Sequence, residues 1–259
     1  MQGNFGPLPL TMQGHEGLGK VIEKGKNVYD VDIGDFVATR GEPAYADFYN
    51  CEAGTYVKVP ECDPKYIIEP VASGINIINS CKMPIERRGR KQGARLLIIG
   101  SGFLAQVVYH YLLNFMLEKN IHFNITVYGH SNKELWGNKL SDAIDGKFDV
   151  VIDLNNRNEA FEKEIFNTEA LLIMGAEKPN KVTTTFSTML WNSMTLKFPS
   201  PRDSGFIECM HKAVELIHSG KIDVSSFWTK GYDRSTEWKD AFNEGLNRPK
   251  GYSRGYIKW

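Results

Sequence analysis

From residue 103 onward, apolar side chains recur at three- and four-residue steps: Leu104, Val107, Val108, Tyr111, Leu112, Phe115 and Met116. That spacing predicts a helix with one buried face. Short apolar runs rich in β-branched residues flank it, at 96–99 and 124–128, and read as buried strands. Similar runs at 148–153, 170–175 and 194–198 predict further strands. Residues 206–219, with Ile207, Met210, Val214 and Ile217 on one face, predict another helix ended by Gly220. Strands alternating with helices predict an α/β fold with a doubly wound parallel sheet. The chain before residue 69 has a different pattern. Short apolar runs broken by glycines, at Gly14, Gly17, Gly19, Gly25 and Gly34, predict a small β-rich domain. Residues 1–10, rich in glycine and proline, read as an irregular arm.

The junction between the 96–99 strand and the 103 helix reads Gly100-Ser101-Gly102-Phe103-Leu104-Ala105, a G-x-G-x-x-A turn. Glycine at 100 permits a tight turn, and glycine at 102 removes the side chain that would block a pyrophosphate. The first amides of the helix then point at the phosphate, and Ala105 is small enough for helix and strand to touch. The turn alone is a weak signal. Set in a strand, turn, helix, strand unit, it predicts dinucleotide binding rather than a structural glycine turn.

Composition narrows the partners. Lys+Arg of 31 balances Asp+Glu of 31, which argues against nucleic acid or an anionic membrane as a partner. No apolar run is long enough to span a bilayer, and the first residues do not have the pattern of a secretory signal, so a cytoplasmic location is expected. Cys51, Cys62, Cys81 and Cys209 form no C-x-x-C pair and are expected to be reduced thiols without a chemical role. The basic cluster within residues 84–91 reads as a solvated loop.

Gly14-His15-Glu16-Gly17, followed by Gly19, Val21, Gly25 and Gly34-Asp35-x-Val37, resembles the hallmark of the medium-chain dehydrogenase/reductase superfamily. That superfamily includes the zinc alcohol and polyol dehydrogenases and zinc-free quinone reductases. Thr55-Tyr56-Val57-Lys58-Val59-Pro60 resembles its strand before the domain crossover, and Glu69-Pro70-Val71-Ala72 resembles its E-P-L-A segment. The turn at 100–105, the strands at 148–153 and 170–175, Ser219-Gly220-Lys221-Ile222 and Asp240-Ala241-Phe242 resemble later family motifs in the same order. The resemblance implies a Rossmann dinucleotide-binding domain over 69–222. It also implies a reduced GroES-like catalytic domain built from 1–68 and a returning segment, 223–259. A stretch as short as 38–54 implies deletion of the lobe that carries a structural zinc, and the chain starts after the position of the family's first cysteine ligand and relay hydroxyl.

Within that resemblance, His15, Glu16 and Glu69 match catalytic and metal-binding positions, Glu69 being the place where polyol and sugar dehydrogenases use a carboxylate. An imidazole and two carboxylates form a donor set suited to zinc. Without metal, His15, Tyr45 or Tyr49 would have to serve as proton donor. The cofactor site comprises Gly100, Ser101, Gly102, Phe103, Leu104, Ala105, Gly129, His130, Ser131, Lys133 and Gly175. The 124–128 strand is followed by Gly129-His130-Ser131-Asn132-Lys133, with no carboxylate to bind ribose hydroxyls, and this favours NADP over NAD. The implied activity is hydride transfer between a nicotinamide and a small alcohol, polyol or carbonyl compound. The alternatives are a zinc-independent quinone or enone reductase, or an inactive nucleotide-binding accessory protein. A homodimer through edge pairing near 194–198 is also implied.

Overall fold

A computed structural model describes residues 13–41, 43–178, 183 and 186–259, so the arm expected at 1–10 lies outside the described residues. The chain forms two compact units, Met1–Ser73 with Ser204–Trp259, and Gly74–Asp203. The elements of the first part are β1 (Gly17–Lys20), β2 (Phe36–Thr39), β3 (Tyr56–Val59), α1 (Glu69–Asn79) and α2 (Lys82–Gly89). Then come β4 (Arg95–Ile99), α3 (Phe103–Lys119), β5 (Asn124–Tyr128), α4 (Lys133–Trp136), β6 (Leu140–Ser141) and β7 (Phe148–Asp153). They are followed by α5 (Glu159–Glu162), β8 (Phe166–Met174), α6 (Phe186–Trp191) and β9 (Thr195–Lys197). The chain ends with α7 (Phe206–His218), β10 (Trp228–Asp233), α8 (Arg234–Asn247) and β11 (Arg254–Lys258).

The second unit holds a six-stranded sheet in the order β6-β5-β4-β7-β8-β9, with every pair parallel. This is the doubly wound Rossmann order, in which the chain reverses direction across the sheet between β4 and β7. Leu96, Leu97, Ile98 and Ile99 on β4, and Val150, Val151 and Ile152 on β7, are fully buried, as strands in the middle of a parallel sheet must be. The expected strands and helices are present within a few residues. In the first unit β1, β2 and β3 form an antiparallel sheet and β10 pairs with β11 in parallel. The chain is thus α/β, a Rossmann-like parallel sheet accompanied by a small antiparallel one.

Two expectations are corrected. Residues 84–91 do not form a solvated loop, because α2 covers most of them and Arg88 is only 1% exposed. Pro84 is tolerated in the first turn of a helix, where its missing N–H would be unpaired anyway, and Ile85 supplies a buried anchor. The Arg88 guanidinium donates from Nε and Nη2 to the Glu169 carbonyl and from Nη1 to that of Pro84. Glu169 takes a left-handed backbone, φ 61°, within β8, and the register of β7 against β8 shifts in that region. The second correction concerns α7, which the resemblance places in the nucleotide domain. It belongs to the first unit, where Phe206, Met210 and Ala213 are buried and the helix lies against β3. Among the described residues no helix is long and apolar enough to cross a membrane.

Candidate functional site

In the Rossmann unit the glycines of the predicted turn have separate physical reasons. Gly100 has φ 122°, a conformation that only glycine adopts readily. Gly102 has an extended backbone, and a Cβ added there would meet nothing within 4 Å among the described residues. The fold itself does not require glycine at 102. It leaves open space at the N-terminus of the 17-residue α3, where Gly102 is the cap and makes no side-chain hydrogen bond. The dipole of the helix favours an anion at such a terminus. Ala105 is buried as helix–strand contact requires, while Phe103 and Leu104 are half-buried on the first turn.

Gly129 and Gly175 are glycines for packing reasons. A Cβ at 129 would lie 2.4 Å from the Ser101 Oγ, and one at 175 would lie 2.6 Å from Leu154 and 2.7 Å from Ile77. The end of β5 is thereby pressed against the glycine turn. Ser101 is buried, and its hydroxyl lies 3.1 Å from that of Ser131. His130, Ser131 and Lys133 are exposed, and His130 Nε2 lies 3.2 Å from the Tyr128 hydroxyl. At the ends of β7 and β8, Lys178 Nζ donates to Asp153 Oδ2 at 2.7 Å and to the carbonyls of Asn155 and Arg157. Asp153 is fully buried, and that burial raises its carboxyl pKa against the opposing pull of Lys178.

In the first unit His15, Glu16 and Glu69 come together, each offering one donor atom, all within 4.8 Å of one another. The local sequence explains how. Gly14 has φ 80° with the Tyr45 ring packed where a Cβ would stand, and a Cβ at Gly17 would meet the Tyr49 hydroxyl at 1.9 Å. Glycines on both sides of His15 and Glu16 therefore let the chain pass beneath two tyrosines. Tyr49 is held by a 2.7 Å hydrogen bond with Thr39. Burial raises the pKa of Tyr45 and Tyr49, and for Tyr45 the Glu16 charge adds to the effect.

Glu69, at the start of α1, is 4% exposed and accepts a 3.1 Å hydrogen bond from Ser73. Burial, and then the nearby Glu16 carboxylate, raise its pKa to about 7, against the lowering effects of His15, Ser73 and Arg254. Glu16 Oε1 lies 3.9 Å from His15 Nε2, while its other oxygen accepts a charge-assisted hydrogen bond from Arg254 on β11. The Arg254 guanidinium also lies 5.3 Å from the Trp228 ring centroid. Together these residues form a donor set able to hold a divalent ion. The Arg254 hydrogen bond orients the Glu16 carboxylate. His15 and Glu16 line a cavity of about 1390 Å³, whose walls also include Tyr45, Tyr49, Tyr232 and Arg254.

Sequence reasoning missed Arg254, Ser73, Asn132, Trp136 and Lys178. Arg254 lies 238 residues from its partner Glu16, and no local spacing signals such a pair.

No model of a known protein family matches the chain, and no curated protein matches it in sequence. Solved structures do match. An oxidoreductase/dehydrogenase of unknown specificity from Escherichia coli, involved in membrane biogenesis, superposes with TM-score 0.73 at 18% identity, over 95% of this chain and 82% of that one. TarJ from Staphylococcus aureus in complex with NADPH gives TM-score 0.71 at 18% identity, covering 95% and 80%. An alcohol dehydrogenase from E. coli CFT073 complexed with NADH gives 0.71 at 13% identity, covering 95% and 83%. At such identities the likeness establishes a shared fold, and two of these structures hold NADPH or NADH.

Proposed function

We propose that this protein is an oxidoreductase that transfers a hydride between NADP(H) and a small alcohol, polyol or carbonyl compound. The open space over Gly102, at an uncapped helix N-terminus that follows the central strand of a parallel sheet, carries this reading. Solved structures of the same fold hold NADPH or NADH. The exposed donors His130, Ser131 and Lys133, with no carboxylate among residues 129–133, favour the 2′-phosphate form.

His15 and Glu69, with Glu16 oriented by Arg254, would hold a divalent ion. When bound, such an ion polarises an alcohol or carbonyl oxygen. The nicotinamide supplies or accepts the hydride. The chain's own residues position the reactants and handle protons. Without an ion Glu69, pushed up to about 7, takes up a proton near neutrality, whereas a bound ion would hold it as the carboxylate. Tyr45, 45% exposed and with its pKa raised, keeps its hydroxyl proton. One outer strand of the sheet, β9, with Leu196 39% exposed and Phe198 just after it 65% exposed, is the proposed edge of a homodimer.

Elemental analysis of the purified protein, with NADPH and NADH titrations of wild type and His15→Ala, tests the reading. About one divalent ion per chain, lost in His15→Ala, with NADPH binding retained, is the expected result. Metal-free protein that binds NADPH tightly would replace the alcohol dehydrogenase reading with a metal-independent carbonyl or enone reductase. Absence of binding to either nucleotide would overturn the oxidoreductase reading.

A further inference from the structure

The loop after β5 is tied to the glycine turn at four points, and two of the ties converge on one atom. The Ser101 carbonyl, just past the end of β4, accepts a 3.0 Å hydrogen bond from Asn132 Nδ2 and another of 3.0 Å from Trp136 Nε1. Both lone pairs of that oxygen are thereby used. The other ties are the contact of Gly129 with Ser101 and the approach of the Ser101 and Ser131 hydroxyls. Trp136 is 4% exposed, with Tyr109 packed edge-on at 5.4 Å. Asn132 has φ 56°, a left-handed backbone that asparagine tolerates better than most residues. Such a turn is held only if something outside it compensates the backbone cost, and here the Ser101 carbonyl does.

We propose that Asn132 and Trp136 are specificity-determining positioning residues. By donating together to the Ser101 carbonyl, they hold residues 129–133 against the glycine turn and set the preference for a 2′-phosphorylated nucleotide over one with a free 2′-hydroxyl. The inference rests on the NADP(H) reading above and deepens it. The glycine turn meets the pyrophosphate, which both nucleotides share. The loop after β5 meets the 2′ substituent, where they differ. A 2′-phosphate needs several donors fixed in place at once, and Ser131 and Lys133 deliver their hydrogen bonds at full strength only from a loop that is already ordered. Neither Asn132 nor Trp136 need touch the nucleotide to control this.

Calorimetric titration with NADPH and with NADH tests the proposal on wild type, Trp136→Phe, Asn132→Gly and the double variant. Trp136→Phe keeps an aromatic ring and removes the donor. Asn132→Gly removes the other donor and accepts the left-handed backbone without strain. Each single change is expected to weaken NADPH binding about three- to ten-fold, the worth of one hydrogen bond, and to leave NADH within about two-fold. The NADPH-to-NADH affinity ratio therefore falls, and falls further in the double variant. An unchanged ratio, whether both affinities drop together or neither does, overturns the proposal while the NADP(H) reading stands. Wild type that prefers NADH overturns both, and this is read before any variant is made. Should Trp136→Phe fail to fold, Asn132→Gly carries the same test alone.

Discussion

At the scale of single residues, the glycines of the nucleotide unit separate by what demands them. Gly129 is demanded by Ser101, whereas nothing among the described residues approaches the Cβ position of Gly102. Gly102→Val is therefore expected to change stability by less than about 1 kcal/mol while weakening nucleotide binding by about two orders of magnitude. Gly129→Ala should cost about 1–3 kcal/mol by overpacking. Urea unfolding beside nucleotide titration reads both, and equal loss of stability in the two variants would contradict the assignment. Glu69 makes a second residue-scale prediction. Its pKa rises from the usual 4.5 to about 7 in the folded protein. The folded state thus binds the proton more tightly than the unfolded chain does. Its stabilising contribution is complete below about pH 4.5 and is lost as pH rises through about 7. In chelator-treated protein, wild type should lose up to about 3 kcal/mol relative to Glu69→Gln between pH 4.5 and pH 8. Parallel stability curves for the two proteins would refute the shift.

At the scale of elements, buried cations hold segments that hydrophobic pattern alone leaves loose. Arg88 fastens α2 to the left-handed turn at Glu169 in β8, and Lys178 fastens the segment after β8 to the end of β7. Lys178→Met would leave the Asp153 carboxylate buried without its partner. A cost of about 3 kcal/mol at pH 7 is expected, as for breaking other buried pairs. The cost should shrink as pH falls, because Asp153 then takes up a proton and no charge remains buried. Thermal unfolding of Lys178→Met and wild type from pH 5 to pH 8 checks the sign, and a deficit independent of pH would show that Asp153 is not the reason.

At the scale of the whole molecule, several exposed apolar side chains of the Rossmann unit fall in one stretch of chain, from α6 to the end of β9. Phe186, Leu190 and Trp191 on and around α6 are at least 75% exposed, and they precede β9, the last strand of that sheet. Isolated apolar residues on a surface need no explanation, but a cluster beside an open strand edge fits an interface between copies. Trp191→Asp combined with Phe198→Asp is expected to convert a dimer to monomer in sedimentation velocity without loss of nucleotide binding. Monomeric wild type would remove this proposal.

The sequence by itself determined the elements and the candidate chemistry. The buried strand runs, the amphipathic period of α3 and the G-x-G-x-x-A turn are local signals, since each depends on neighbours only a few residues away. His15 and Glu16 were legible for the same reason, bracketed by two glycines, and Glu69 was legible through its resemblance to a known motif. Tertiary structure alone decided which charges meet. The Arg254–Glu16 pair, the lock of Lys178 on Asp153, the burial of Arg88 and the convergence of Asn132 and Trp136 on Ser101 join residues from 25 to 238 positions apart. It also decided that most of residues 84–91 lie in a helix and that α7 packs with the first unit. Periodicity states that a face will be buried, and only folding chooses the surface that buries it.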